Sequence, residues 1–527
     1  MKNLIVSISL TLGVVCCVFG QTPSPIYFEK STVLSQPVFI EDDDWRFEGT
    51  ENMMLVPENR NDPESRMIPI HFFRFPAKEK TNLPPVAFLG AGPGEPYSVE
   101  VFFQGKRAEA WRFELQLVNQ KRDVILINQR GNSGAPGLQI KDFRYRWPNG
   151  GTLDQAFDAQ KKNANRKAAY AQAIKTFQEK GVDLKGYDIL HFVDDIEAVR
   201  RHLEVDKLAL IGNSFGSQWG LGYIQRYPDQ VDRAIFSGVE PLDHNYDDPQ
   251  GLWAILERID AYTQADPTLK NQIPEKGFVG ILKTIMERLE AKPVAVNLTN
   301  DEGKKETIVV GIDDLRMMYM NPAARSYVEE IESWPAYLMD VYHNEDYRLL
   351  AEYVRGRIYN SSSRMINPLF NNSLGVSKER EKELNNRPAK RWLGDINSHY
   401  TTTRDICPAP KVDPSFRQHV RHDIPILLIQ GDMDASTPYE NATFLMDYLE
   451  NGHLITVKRG YHNAKRALIF DNPELVKKVF SFMDQDFDQI DFQSFKSILP
   501  TTYELPPYHF WPIEEGKPLY EKYATKR

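Results

Sequence analysis

A serine stands between two glycines in Gly212-Asn213-Ser214-Phe215-Gly216, after the apolar run KLALIG and before the helix-like FGSQWGLGYIQRYP. A strand that passes into a helix through so short a turn brings backbone against backbone, and only glycine leaves room on both sides of the serine. The serine is then carried to the C-terminal edge of a sheet, where its hydroxyl can attack a carbonyl and the Phe215 amide can face the oxyanion. A serine hydroxyl is a weak nucleophile, so the chain must also supply a base and a carboxylate that orients it. The elbow predicts their order: acid, then histidine, each after a later strand. Asp432 and Asp434 follow IPILLIQ in GDMDASTP, and His462 follows HLITVKRG in GYHN. Asp434 is favoured as the acid, with Asp432 bracing or capping the loop. His462 is favoured as the base, because His453 precedes its strand and falls at the wrong edge. The Gly-rich loop LGAGPGEP (89–96) offers a further oxyanion amide from Ala91 or Gly92.

These groups need a sheet to hold them. PPVAFLG (84–90), RDVILINQR (122–130), KLALIG (207–212) and RAIFSGV (233–239) are buried-strand runs separated by helical stretches, which suggests parallel βαβ units. FVDDIEAVRRHLEV (192–205) has helical spacing, with acids early and arginines late. The rhythm stops near His244 and resumes with IPILLIQGDMD (424–434), HLITVKRGYH (453–462) and the helix-like PELVKKVFSFM (473–483). Neither half has enough strands to close a core, so the reading is one α/β sheet interrupted by a helical insertion. The predicted divisions are a signal peptide at 1–20, a first core part at 21–243, a helical cap at 244–421, a second core part at 422–490 and a packed tail at 491–527.

The whole chain bounds the function further. It has 527 residues, 41% of them hydrophobic and 26% charged, with a formal net charge of -9. This composition is that of a soluble globular protein, and the acidic balance argues against a broad nucleic-acid surface. The start, MKNLIVSISLTLGVVCCVFGQTPSP, has one Lys, an apolar run from Leu4 to Phe19 and small residues near Gly20, the build of a secretory signal peptide. Export to the periplasm or the exterior is expected, with no stable membrane insertion after cleavage. Cleavage would remove Cys16 and Cys17 and leave Cys407 alone, so no intramolecular disulfide is expected. Neither HExxH nor paired CxxC occurs, and no metal or organic cofactor is implied.

AGPGEP, INQRGNSG, GNSFGSQWGLGYIQRYPDQVDRAIFSGVEP, GDMDASTP and GYHNA together resemble the serine aminopeptidases of the α/β-hydrolase superfamily. These are the proline iminopeptidases and, closer in layout, the secreted tripeptidyl aminopeptidases. VPENRNDPESRMIPIHFFRF (56–75), ESWPAYLMDVYHNEDYRLL (332–350) and Cys407 before the acid strand extend the resemblance over nearly the whole mature chain. It implies an α/β-hydrolase fold with a helical cap, Ser214 as nucleophile, Asp434 as acid, His462 as base, and Gly92 and Phe215 as oxyanion donors. The pattern departs at Gly90 and Ala91, where His-Gly is common, at Asn128 in place of an aspartate before Gln-Arg-Gly, and at GYHN in place of GHG.

The expected reaction is acyl transfer on peptides with a free N-terminus, followed by hydrolysis of the acyl-enzyme. Such a substrate presents an ammonium, which calls for carboxylates near the acyl site. Glu240, in SGVEP beyond a strand end, is the favoured partner, with Glu95, Glu329, Glu330 and Glu332 as further candidates. Two other readings share the pattern: a carboxylic-ester hydrolase with the same triad, and a non-catalytic binding protein of the same fold.

Overall fold

The computed structural model describes residues 33–42, 45–98, 105–131, 142–299, 302–323, 328–487, 491–512 and 519. The expected signal segment, with Cys16 and Cys17, lies outside these residues.

The strands, in chain order, begin with β1 (Val33–Asp42), β2 (Trp45–Pro57), β3 (Met67–Phe75), β4 (Val86–Leu89) and β5 (Val124–Ile127). Next come β6 (Arg144–Pro148), β7 (Leu208–Asn213), β8 (Val231–Ser237), β9 (Val294–Thr299) and β10 (Lys305–Val310). The last are β11 (Asn360–Arg364), β12 (Ile426–Gly431), β13 (Gly452–Lys458) and β14 (Thr502–Glu504). Ten of them form one sheet in the order β1-β2-β3-β5-β4-β7-β8-β12-β13-β14. The first three strands are antiparallel to their neighbours, and every pairing from β5 to β14 is parallel.

Period-two alternation explains why these strands read as unbroken apolar runs. Ala87, Leu89, Leu210, Phe236 and Leu428 pack on one face of the sheet, while Val86, Phe88, Ile211, Ile235 and Ile429 pack on the other. Both faces are covered, so no residue of a central strand can be polar without cost.

The helices that matter first for the site are α1 (Gly105–Asn119), α2 (Ala159–Glu179), α3 (Ile189–His202) and α4 (Phe215–Arg226). α3 starts ahead of the pattern-based reading because Asp188 caps it, accepting from the His191 amide. Its last turn carries Arg200, Arg201 and His202, the charge favoured at a helix C-terminus.

Between β8 and β12 the chain forms α5 (Pro249–Ala265), α6 (Gly277–Ala291), α7 (Ile312–Ala323), α8 (Val328–Asn344) and shorter helices. The expected helical insertion also contains strands. β9 and β10 form an antiparallel hairpin, and β11 pairs with β6 from the first core part. In VAVNLT and KETIVV burial alternates along each strand although residue type does not, and a Gly-containing turn joins them inside a helical neighbourhood. The insertion has its own apolar cluster, built on Ile259, Leu282, Ile285, Trp334 and Leu338 and reaching Met433, Ala435 and Tyr461 of the core loops.

Candidate active site

Spatially, β4 and β7 are neighbours, yet the chain leaves β4 for β5 on one side and leaves β7 for β8 on the other. The loops at the C-terminal ends of β4 and β7 therefore part and open a crevice, the usual ligand position in such sheets. The β4 loop holds Gly92, and the β7 turn holds Ser214.

Ser214 has φ 57 and ψ -130, a strained backbone for a non-glycine residue. Its amide donates to the Ser237 carbonyl at 2.9 Å, and its own carbonyl accepts from the Ser217 hydroxyl at 2.7 Å. The flanking glycines permit the turn. A Cβ on Gly212 would lie 2.4 Å from the Gly216 carbonyl oxygen, and one on Gly216 would lie 2.3 Å from the Leu89 oxygen. Phe215 is the first residue of α4, so its amide has no carbonyl partner one turn back within the helix. Its ring is buried, with its centroid 4.5 Å from that of Phe370.

Asp434 is fully buried in the loop after β12. One carboxylate oxygen accepts from the Ser436 and Thr437 amides, each at 2.9 Å; the other accepts from Gln430 Nε2 at 3.0 Å and Thr437 Oγ1 at 2.7 Å. His462 Nδ1 stands 3.0 Å from both oxygens. Burial lowers the imidazole pKa, but the charge and hydrogen bond of Asp434 outweigh it, and the net shift is upward. Glu95 adds to that rise. Gly238, with φ 56, makes room for the ring: a Cβ there would meet His462 Cε1 at 3.1 Å.

Asp432 takes a different part, accepting from the Arg459 amide at 2.7 Å and so joining the acid loop to the histidine loop. His453 lies near the start of β13, where its Nε2 is 3.0 Å from the Pro500 carbonyl oxygen.

The β4 loop is fixed from β5. Gln129 Oε1 accepts from the Gly94 amide at 2.5 Å, and its Nε2 donates to the carbonyls of Gly90 at 3.0 Å and Ala91 at 3.1 Å. Asn128 accepts from the Tyr97 amide at 2.6 Å and donates to the Tyr97 carbonyl at 2.9 Å. An ionised aspartate could not make the second bond, which gives the departure at position 128 a physical reason. Gly92 has φ 130, a conformation that favours glycine. Ala91, Gly92, Glu95, Ser214 and His462 line one cavity of about 510 Å³.

Glu240 follows β8. Its amide donates to Ser217 Oγ at 3.0 Å, which ties it to the elbow. Its half-buried carboxyl is pushed up to about 8, first by burial and then by the negative charges of Asp247 and Asp434. Asp247, which is not among the residues expected from the sequence, is pushed up to about 7 by burial. Tyr400 stands close enough to both acids for their charges to raise its phenol pKa further, and it stacks on Tyr246 at 5.2 Å. The neighbouring acids have arginine partners: Asp243 has Arg417 at 3.6 Å, and Asp248 has Arg387 at 2.8 Å and Arg380 at 3.2 Å. Among the described residues, neither Glu240 nor Asp247 pairs with a lysine or arginine; His399 Nε2 lies 3.8 Å from Asp247. The adjacent acids in NYDDP were the available signal for Asp247.

The other amine candidates separate. Glu95 lines the cavity beside His462. Glu332 Oε1 accepts from the His509 amide at 2.7 Å, which engages it with the C-terminal segment. The side chains of Glu329 and Glu330 lie outside the described residues.

An elbow serine, an imidazole held by a buried carboxylate and glycine-loop amides at one crevice are the groups that acyl transfer requires. A family model for the α/β hydrolase fold matches residues 84–273, which include the elbow and the β4 loop. The chain has the α/β-hydrolase fold. A second model, described as TAP-like protein, matches residues 396–468, including Asp434 and His462. No curated protein matches the chain. Among solved structures, it is similar to a serine hydrolase from Cycloclasticus zankles at 12% identity, covering 86% of this chain and 100% of that one, with a TM-score of 0.33. It is also similar to a meta-cleavage product hydrolase from Pseudomonas fluorescens IP01, at 14% identity over 79% and 94% of the two chains, with a TM-score of 0.33. An esterase from Exiguobacterium antarcticum matches at 13% identity over 80% and 97%, with a TM-score of 0.32.

Proposed function

We propose that this α/β hydrolase is an exported serine aminopeptidase that acts on peptides with a free N-terminus. Ser214 attacks the scissile carbonyl while His462 takes its proton, and Asp434 stabilises the imidazolium that forms. The amides of Phe215 and Gly92 stabilise the oxyanion. His462 then donates its proton to the leaving amine, and water attacks the acyl-enzyme with His462 again as base.

The observation that carries the peptidase reading is the Glu240 and Asp247 pair. Half-buried acids beside a hydrolytic centre, with no lysine or arginine against them, are costly to ionise, and the charge of Asp247 raises that cost for Glu240. A substrate ammonium relieves both costs at once, through charge-assisted hydrogen bonds and neutralised repulsion. An ester of a neutral acid offers nothing to this pair.

The test compares aminoacyl and tripeptidyl anilides with their N-acetyl forms. Wild-type enzyme is expected to cleave only the free amines. Glu240→Gln should raise KM for them about tenfold or more, and Ser214→Ala should abolish turnover. Equal cleavage of acetylated substrates, or ester hydrolysis indifferent to the amine, would reassign the enzyme to the carboxylic-ester hydrolases. Full anilide cleavage by Ser214→Ala would remove the mechanism.

A further inference from the structure

The loop carrying His462 is held by more than the sheet. Arg459 begins it with φ 60, a left-handed conformation that a residue other than glycine keeps only when its surroundings hold it there. Its amide is fixed by Asp432, and its Nε donates to the carbonyls of Leu505 at 2.7 Å and Pro506 at 3.0 Å. Its Nη2 reaches Glu504 at 3.2 Å. Beyond Gly460, the buried Tyr461 hydroxyl donates to the Tyr508 hydroxyl at 2.8 Å. Tyr508 meets Tyr262 of α5 edge to face, with ring centroids 5.3 Å apart.

The same C-terminal segment then reaches the cap. The His509 amide donates to Glu332 Oε1 at 2.7 Å, and the Trp511 amide donates to the Glu332 carbonyl at 3.0 Å. Glu332 belongs to α8. The segment from Glu504 to Trp511 therefore runs from the edge strand β14, across the histidine loop, to a helix of the insertion. Tyr461 and Tyr508 also belong to the insertion's apolar cluster, so one set of contacts is shared by the cap and the loop.

We propose that this segment is a strap that positions His462 relative to Ser214, with Arg459 and Tyr508 as positioning residues and Glu332 as the anchor on the cap. The carboxylate of Asp434 constrains the Nδ1 side of the imidazole, and the acid loop holds the backbone at the Arg459 amide and the Gly460 carbonyl, but neither contact fixes the side chains of Arg459 and Tyr461 that flank the turn. The strap restrains that freedom at two positions, Arg459 and Tyr461, just N-terminal to the ring. A displacement of about 1 Å at a reacting group is enough to cost a large factor in rate. Because the strap ends on α8, any movement of the cap over bound substrate is passed to the base. The inference rests on His462 being the base.

Tyr508→Phe keeps the ring and removes the hydroxyl bond. Its expected effect is a fall in kcat of about three- to tenfold, with KM within about twofold and a lower pKa for the acid limb of kcat/KM. Arg459→Gly separates anchoring from backbone strain: glycine accepts the left-handed conformation, so relief of strain alone predicts full activity. The strap predicts a loss of kcat like that of Tyr508→Phe. Glu332→Ala, at the far end, should lower kcat in the same direction and combine with Tyr508→Phe less than additively. Thermal midpoints and His462→Ala serve as references. Activity retained by His462→Ala would overturn the base assignment itself. An inactive His462→Ala with unchanged kcat and pH profiles in Tyr508→Phe and Arg459→Gly would overturn the strap alone.

Discussion

Glu240 shows what a half-buried acid without a lysine or arginine partner costs the fold. Its carboxyl sits at about 8, against an ordinary glutamate value of 4.5. The folded protein therefore holds a proton that the unfolded chain releases, and stability falls as pH rises from about 4.5 to about 8. Glu240→Gln removes the ionisation and most of that loss. The variant should melt about 2–4 °C higher than wild type at pH 8.5 and at the same temperature at pH 4.5, read by scanning calorimetry. A difference that is equal at both pH values would mean that the side chain acts through packing rather than charge. Asp248 makes the contrast, because its arginines balance the same kind of charge within the fold.

At the scale of elements, the site is made by strand ends and the loops that leave them. Glycines decide how closely these loops approach. Gly212 and Gly216 let the start of α4 pass the ends of β7 and β4, and Gly238 lets the loop after β8 pass the imidazole. A methyl group at 238 would press on His462 Cε1 and would also strain a backbone at φ 56. Gly238→Ala is expected to lower kcat by about tenfold or more while costing about 1–2 kcal/mol of stability. Steady-state kinetics beside urea denaturation separates the two. Unchanged kcat in a folded variant would show that the ring does not depend on this clearance.

Across the whole molecule, buried charges join parts of the core that are far apart in sequence. Arg130 after β5 grips the carboxylate of Asp195 in α3 at 2.7 and 2.6 Å, and it also donates to the carbonyls of Glu58 at 2.6 Å and Gly186 at 2.5 Å. Arg60 lies 2.7 Å from the same carboxylate. Asp195→Asn would leave two buried guanidinium groups without their counter-charge and should cost about 3–5 kcal/mol, read as a lower urea midpoint. A loss below about 1 kcal/mol would mean that the backbone carbonyls alone compensate the arginines. The motif at Gln129-Arg130-Gly131 thus has two separate tasks. Gln129 shapes the loop beside the serine, and Arg130 fastens the sheet to α3.

The sequence by itself determined the α/β alternation, the elbow around Ser214 and the order in which Asp434 and His462 follow it. Those features are local: apolar runs of period two, helical spacing, and glycines where a strand turns into a helix. The tertiary structure decided what these residues meet. Asp247 lies beside Glu240 while Asp248 is taken by arginines, and no local pattern separates two adjacent aspartates. Glu332, an amine candidate by composition, is engaged by the C-terminal segment, a pairing across about 180 positions that leaves no periodic trace. The β9–β10 hairpin alternates in burial but not in residue type, so a helical insertion is what its sequence suggests. Contacts between distant segments depend on how whole elements pack, and this is why the elbow could be read in the chain while the surroundings of Glu240 and the strap over His462 could not.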